Sequence, residues 1–187
     1  MAIALILLGV LYRILPTLDP GISNFSPLMA VAFCGAAYFR RGWLWLVPFA
    51  ALTLSDVYLN RFYALHYGYS WSFAGFAART GCFAAAMLIG AQVSKNRTFL
   101  AVLNGCLLSS ILFYFVTNTQ SWGSDPFYAR SFAGWWQAMT VGHPEYPPTL
   151  FFFRNSFVGD LLFTGLFAGA MEMARLTQER RLKAALR

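Results

Sequence analysis

The chain has 187 residues, of which 58% are hydrophobic and only 11% charged, and its mean hydropathy is +0.54. A soluble domain carries roughly 45–50% apolar and about 25% charged residues, so a water-soluble globular fold is excluded and lipid becomes the solvent. The net charge of +7 sits in clusters separated by lipid-type sequence, which argues against a basic nucleic-acid surface. No linker or low-complexity tract divides the chain, so residues 1–187 are expected to form a single membrane domain.

Six apolar stretches are candidate spans: residues 1–16, 27–39, 42–60, 71–93, 98–118 and 149–174. A crossing takes about 20 residues, with a range of roughly 17–25. The last four are long enough. The first two are short and read either as true crossings or as a shallow hairpin. Residues 1–16 lack a basic n-region, are interrupted by Arg13 and show no small-residue cleavage site before Pro16, so they are not expected to be a removed signal peptide.

Between successive pairs of stretches lie the basic clusters Arg40–Arg41, Lys95 with Arg97, and Arg175, Arg180, Arg181, Lys183 and Arg187. If every stretch crosses, all three clusters fall on one side. The positive-inside rule then predicts six helices with both termini in the cytoplasm, and a bacterial inner membrane is the expected location. The connections on the other side are residues 17–26, 61–70 and 119–148, the first with a turn at Pro20 and Gly21.

The 30-residue connection 119–148 carries Trp122, Phe127, Tyr128, Phe132, Trp135, Trp136 and Tyr146. Two readings stand. The rings form an interfacial aromatic belt, or they form a lid over a large, flat ligand, with the polar residues between them suiting a ligand rich in amides.

Charges within the spans are Arg13, Asp56, Arg79, Arg154 and Asp160. A charge at mid-bilayer costs about 2.5–3.5 kcal/mol on insertion scales, so it takes a partner or a function. Arg13, Asp56 and Arg154 are expected near the outer helix ends, where exposure is cheap. Arg79 and Asp160 are expected deeper and could pair, either as an ion pair fixing helix packing or as the wall of a ligand site. Gly165 and Gly169 make a small-xxx-small pair, compatible with internal packing, oligomerisation or docking.

The cysteines Cys34, Cys82 and Cys106 all fall inside spans with no C-x-x-C spacing, which argues against a zinc site, a dithiol motif or a disulfide framework. Each reads first as a small hydrophobe. Cys82 differs in following Arg79 by one turn, and a neighbouring guanidinium favours thiolate. The histidines, His66 and His143, are both in outer connections, and no metalloprotease, nucleophile-elbow or nucleotide-binding motif is present. The chain cannot power ATP-driven transport by itself.

Several stretches resemble the substrate-binding S-components of energy-coupling-factor vitamin transporters, and within them the small bacterial family of solitary cobalamin transporters. These are Arg13 to Pro27, Leu54-Ser55-Asp56, Val116-Thr117-Asn118 and above all Phe152-Phe153-Arg154-Asn155-Ser156 with Gly159-Asp160. The resemblance implies a six-helix bundle with a vitamin pocket opening outward beneath loops. It implies cobalamin as bound substrate, a cysteine as axial cobalt ligand, and removal of cyanide from cyanocobalamin at that cobalt. Cys82 is the candidate for that cysteine. Candidate ligand contacts are Asn24, His66, Arg79, Asn118, Tyr128, Trp135, Trp136, Arg154 and Asp160. Many S-components carry an Ala-x-x-x-Ala signature in the first helix for docking to a separate ATPase module. Here that helix reads MAIALILLGVLYRILP, without such a pair, in agreement with a solitary transporter. The readings left open are an S-component for another vitamin and a membrane scaffold or accessory subunit that transports nothing.

Overall fold

A computed structural model describes residues 2–14, 27–39, 42–67 and 71–186. Among these, every regular element is helical: α1 (Ala2–Ile14), α2 (Leu28–Tyr38), a 3-10 turn (Gly42–Trp45), α3 (Leu46–Tyr67), α4 (Phe73–Val93), α5 (Phe99–Ser124), α6 (Phe132–Met139) and α7 (Thr149–Ala185). Three of them, α4, α5 and α7, are long and apolar enough to cross a membrane.

The helix starts are written locally. Ser72, Thr98 and Ser131 each accept, through the side-chain oxygen, the backbone N–H three residues on, capping α4, α5 and α6. Pro27 and Pro148 precede α2 and α7, where a missing N–H costs nothing.

The bundle is organised around α2. This helix has only 11 residues, is apolar all round, and buries ten of them against α1, α3, α4, α5 and α7. A helix without a polar face belongs at the centre of a bundle. Its neighbours make room with glycine. A Cβ placed on Gly90 of α4 would lie 2.3 Å from the Phe33 carbonyl oxygen, and one on Gly105 of α5 would lie 2.5 Å from the Phe33 ring. Gly165 and Gly169 of α7 face open space, with nothing within 4 Å. Among the described residues that pair packs against nothing.

Boundaries depart from the sequence reading in instructive ways. The stretch 42–60 is a 3-10 turn followed by a helix that starts at Leu46 and runs to Tyr67, so most of the expected connection 61–70 is helical. α5 continues to Ser124, and the 119–148 connection contains α6. α7 runs on to Ala185, beyond the expected end at 174; at about 1.5 Å per residue its 37 residues measure roughly 55 Å. Asn24 and the Arg40–Arg41 cluster lie outside the described residues.

Candidate functional site

Because α2 is short, its N-terminus stops inside the bundle and leaves space above it. A cavity of about 820 Å³ occupies that space, with Leu28 of α2 in its lining. Its other walls come from α1, α3 and α4 on one side and α5 and α7 on the other. Tyr128, His143, Glu145 and Tyr146, from the segments flanking α6, complete the lining near the mouth.

One wall is an ion cluster. Asp56 of α3 is gripped by two guanidiniums: Arg13 Nη2 donates to Oδ1 at 2.6 Å, and Arg79 Nε donates to Oδ1 and Oδ2 at 3.1 and 2.9 Å. Arg13 Nη1 also donates to Ser55 Oγ and the Leu52 carbonyl. Asn60, one turn beyond Asp56, donates to Asp56 Oδ2 and accepts from Arg79 Nη2 at 3.2 Å. Helical spacing puts Leu52, Ser55, Asp56 and Asn60 on one face of α3, and α1 and α4 supply the arginines. Arg13 and Asp56 are only 8% and 3% exposed. Arg13 does lie in the last turn of α1, as expected, but buried rather than exposed; for Asp56 the position itself is corrected, because α3 begins at Leu46 and Asp56 lies at its middle.

Asp160 of α7 lines the opposite side and is 2% exposed. Its Oδ1 accepts the Ala30 N–H at 2.9 Å and its Oδ2 accepts the Ser110 hydroxyl at 2.7 Å. Ala30 is the third residue of α2, and Pro27 before that helix offers no side-chain cap. Asp160 thus does from another helix what an N-cap residue does locally, with the helix dipole complementing its charge. The Arg79–Asp160 pair that the sequence left open is not formed: Asp160 accepts from Ala30 and Ser110, and Arg79 donates to Asp56 and Asn60.

The rest of the lining is aromatic and neutral-polar. Phe113, Tyr114, Phe153 and Phe157 supply ring surface, and Thr117 and Asn118 supply hydroxyl and amide groups. Tyr128 is buried, and burial together with the Asp125 carboxylate pushes its phenol up from the usual range.

Of the expected ligand contacts, Arg79, Asn118, Tyr128 and Asp160 meet at this cavity. Asn24 is outside the described residues, and His66, Trp135, Trp136 and Arg154 lie elsewhere. Trp135 donates to Thr119 Oγ1 and stacks on Phe115, while Trp136 is 56% exposed beside Phe132. α6 is fastened to α5 through the Tyr114 hydroxyl, which donates to the Met139 carbonyl. Arg154 is exposed over the Phe151 ring, and His66 is exposed and stacked on Phe62. Cys82 is buried in the apolar core cluster, and none of the three cysteines lines the cavity. Cys34 and Cys106 instead meet the Thr164 hydroxyl from two sides. Ser110 and Asn60 were not singled out in the sequence, where nothing separates a cavity-lining serine or asparagine from any other.

No group of three or more metal-ligating side chains is found among the described residues. A family model described as a family of unknown function, DUF6580, matches residues 1–184. No curated protein and no solved structure matches the chain.

Proposed function

Since the chain belongs to a family whose function is unknown, its own cavity must carry the argument, and we propose that it is a membrane-embedded substrate-binding protein of the S-component type. In this reading it takes an organic solute from the outer face of a bacterial inner membrane, and cobalamin is the first solute to try. The observation that carries it is a cavity of about 820 Å³ with charged groups in one wall and rings in the others, within the roughly 300–1,000 Å³ range of small-molecule sites.

The direction of opening follows from charge. Tyr128, His143 and Glu145 lie by the end of α5 and the start of α7. Lys95 and Arg97 precede α5, and Arg175 to Lys183 lie at the far end of α7. The mouth and the basic clusters are therefore at opposite ends of the bundle. With the clusters on the cytoplasmic side, the mouth faces out. Six crossings with both termini inside fit that placement.

A corrinoid is larger than the drug-sized ligands for which such volumes are typical, so the volume favours a second reading within the same class: an S-component for a smaller vitamin. Ligation of cobalt by Cys82 is the finer form of the cobalamin reading. It requires α4 to turn Cys82 out of the apolar core, and the visible spectrum of cobalamin with Cys82→Ser decides it. The test of the proposal itself is binding of a vitamin panel to the purified protein, read by calorimetry and, for cobalamin, by co-eluting visible absorbance. Saturable one-to-one binding is expected for one vitamin; a protein that binds none would return the chain to the scaffold reading.

A further inference from the structure

The ion cluster in the cavity wall is locally positive. Arg13, Arg79 and Asp56 form one cluster, with two guanidiniums on a single carboxylate. Asp160, on the opposite side of the cavity, accepts from the Ala30 N–H and the Ser110 hydroxyl and makes no ion pair with this cluster. Glu145 sits at the mouth with a side chain 75% exposed, where water screens it. Asp125 turns back to accept its own loop's Phe127 N–H.

Within the cluster the arginines are not equivalent. Both terminal nitrogens of Arg13 are spent on Ser55, Leu52 and Asp56. Arg79 directs Nε to Asp56 and Nη2 to Asn60, which leaves Nη1 without a hydrogen bond among the described residues. Arg79 also keeps 19% of its side chain accessible and lines the cavity. A partly buried guanidinium that shares its carboxylate with a second one, keeps a terminal nitrogen unused and lines a cavity is suited to receive an anion. Across the cavity, Tyr114, Phe153 and Phe157 offer ring faces, and the one carboxylate there, Asp160, is turned to the start of α2 and to Ser110.

We propose that the solute bound here carries an anionic oxygen group, a carboxylate or a phosphate, that docks on Arg79, with an apolar or ring-bearing body against the α5 and α7 aromatics. This rests on the reading of the cavity as a solute site and narrows the class of solute. An anion on Arg79 would give each guanidinium of the cluster an acid group of its own, where a solute without one leaves Asp56 shared between the two.

The test uses the full-length protein in detergent and matched pairs of probes: pantothenate against panthenol, nicotinate against nicotinamide, and biotin against its amide for the carboxylate source, and riboflavin 5′-phosphate against riboflavin for the phosphate source. The anionic member of one pair should bind at least about thirtyfold more tightly than its partner, the loss expected when one side of a buried charge pair is removed. Arg79→Gln should weaken the anion by a similar factor while moving the neutral partner less than about threefold. Arg79→Lys, which keeps the charge beside Asp56, should retain a preference for the anion and covers the case in which the glutamine variant does not fold. A neutral member that binds as tightly as its acid overturns the anion inference and leaves the solute site standing. Failure of every probe to bind overturns the solute-site reading itself.

Discussion

Asp160 of α7 caps α2 from 130 residues away: its Oδ1 accepts the Ala30 N–H at 2.9 Å, and that bond closes the floor of the cavity. α2 has no polar side chain of its own near this end, being preceded by Pro27 and beginning Leu-Met-Ala. Replacing Asp160 with alanine strands the buried Ala30 N–H at the start of α2, while the Ser110 hydroxyl keeps the Cys106 carbonyl as acceptor. The expected cost is on the order of 2–3 kcal/mol, read as a lower melting temperature in detergent. Asp160→Asn keeps an acceptor for Ala30 and should lose less than half as much. Equal losses for the two variants would mean that the cap is not what Asp160 contributes.

Asp56 holds Arg13 and Arg79 together, so its removal should cost more than the removal of either arginine. Asp56→Ala leaves two buried guanidiniums facing one another, and breaking a buried pair in this way costs about 3–5 kcal/mol. Deleting Arg13 as well, in Asp56→Ala with Arg13→Leu, should recover part of the loss. The double-mutant cycle is expected to show about 1–3 kcal/mol of coupling. Additive losses in the melting curves would contradict the shared cluster.

The sequence carried the helical class, the candidate spans that became α4, α5 and α7, and the polar residues that define the cavity's two sides. It did not carry partners. Spacing places Arg79 and Asp160 along their helices, but not the rotation of each helix, and the rotation gives Arg79 to Asp56 and Asp160 to α2. The misplaced start of α3 had a chemical cause: Gly42–Trp45 is as apolar as the helix it precedes, and hydropathy does not separate a 3-10 turn from an α-helix. α6 was hidden because eight residues ending in Trp-Trp-Gln-Ala-Met look alike as a loop and as a short capped helix. Cys82 was ranked by its nearness in sequence to Arg79, whereas the guanidinium points to α3 and the thiol to the core.

Gly90 should tolerate no side chain. Its added Cβ meets the backbone oxygen of Phe33 at 2.3 Å and the Ala37 nitrogen at 3.1 Å, and backbone cannot yield as a flexible side chain does. Gly90→Ala is expected to destabilise by about 1–3 kcal/mol through separation of α2 from α4. Gly165→Ala, with open space around it, should stay within about 0.5 kcal/mol. Similar melting temperatures for the two variants would rule out α2–α4 contact as the tightest in the bundle.

Topology can be read with single introduced cysteines at Asn96 and Ser124, both exposed and at opposite ends of the α4–α5 pair. The three native cysteines are buried and should contribute little background. In intact cells a membrane-impermeant maleimide is expected to label position 124, with position 96 reacting only after permeabilisation. Labelling in the reverse order would invert the bundle and turn the cavity mouth to the cytoplasm.

The last expectation separates the cavity from the aromatic cover beside it. Trp135 and Trp136 are, with Trp122, the largest rings of the 119–148 segment, yet neither lines the cavity. Trp135 is spent on Thr119 and Phe115, and Trp136 is mostly exposed. That arrangement matches rings seated at a membrane interface. Tyr128 and Asn118 are smaller but do line the cavity, and Asn118 holds its place by donating to the Tyr114 carbonyl one turn back. Once a solute is in hand, replacing both tryptophans with alanine should change its affinity by less than about threefold, whereas Tyr128→Ala or Asn118→Ala should weaken it by about tenfold or more. Binding is best measured by calorimetry on protein already checked for its melting temperature, because loss of the Trp135 contacts loosens α6 and could lower stability without touching the site. A large loss of affinity in a stably folded tryptophan double variant would show that α6 swings over the mouth when solute binds, and would make the cover a true lid.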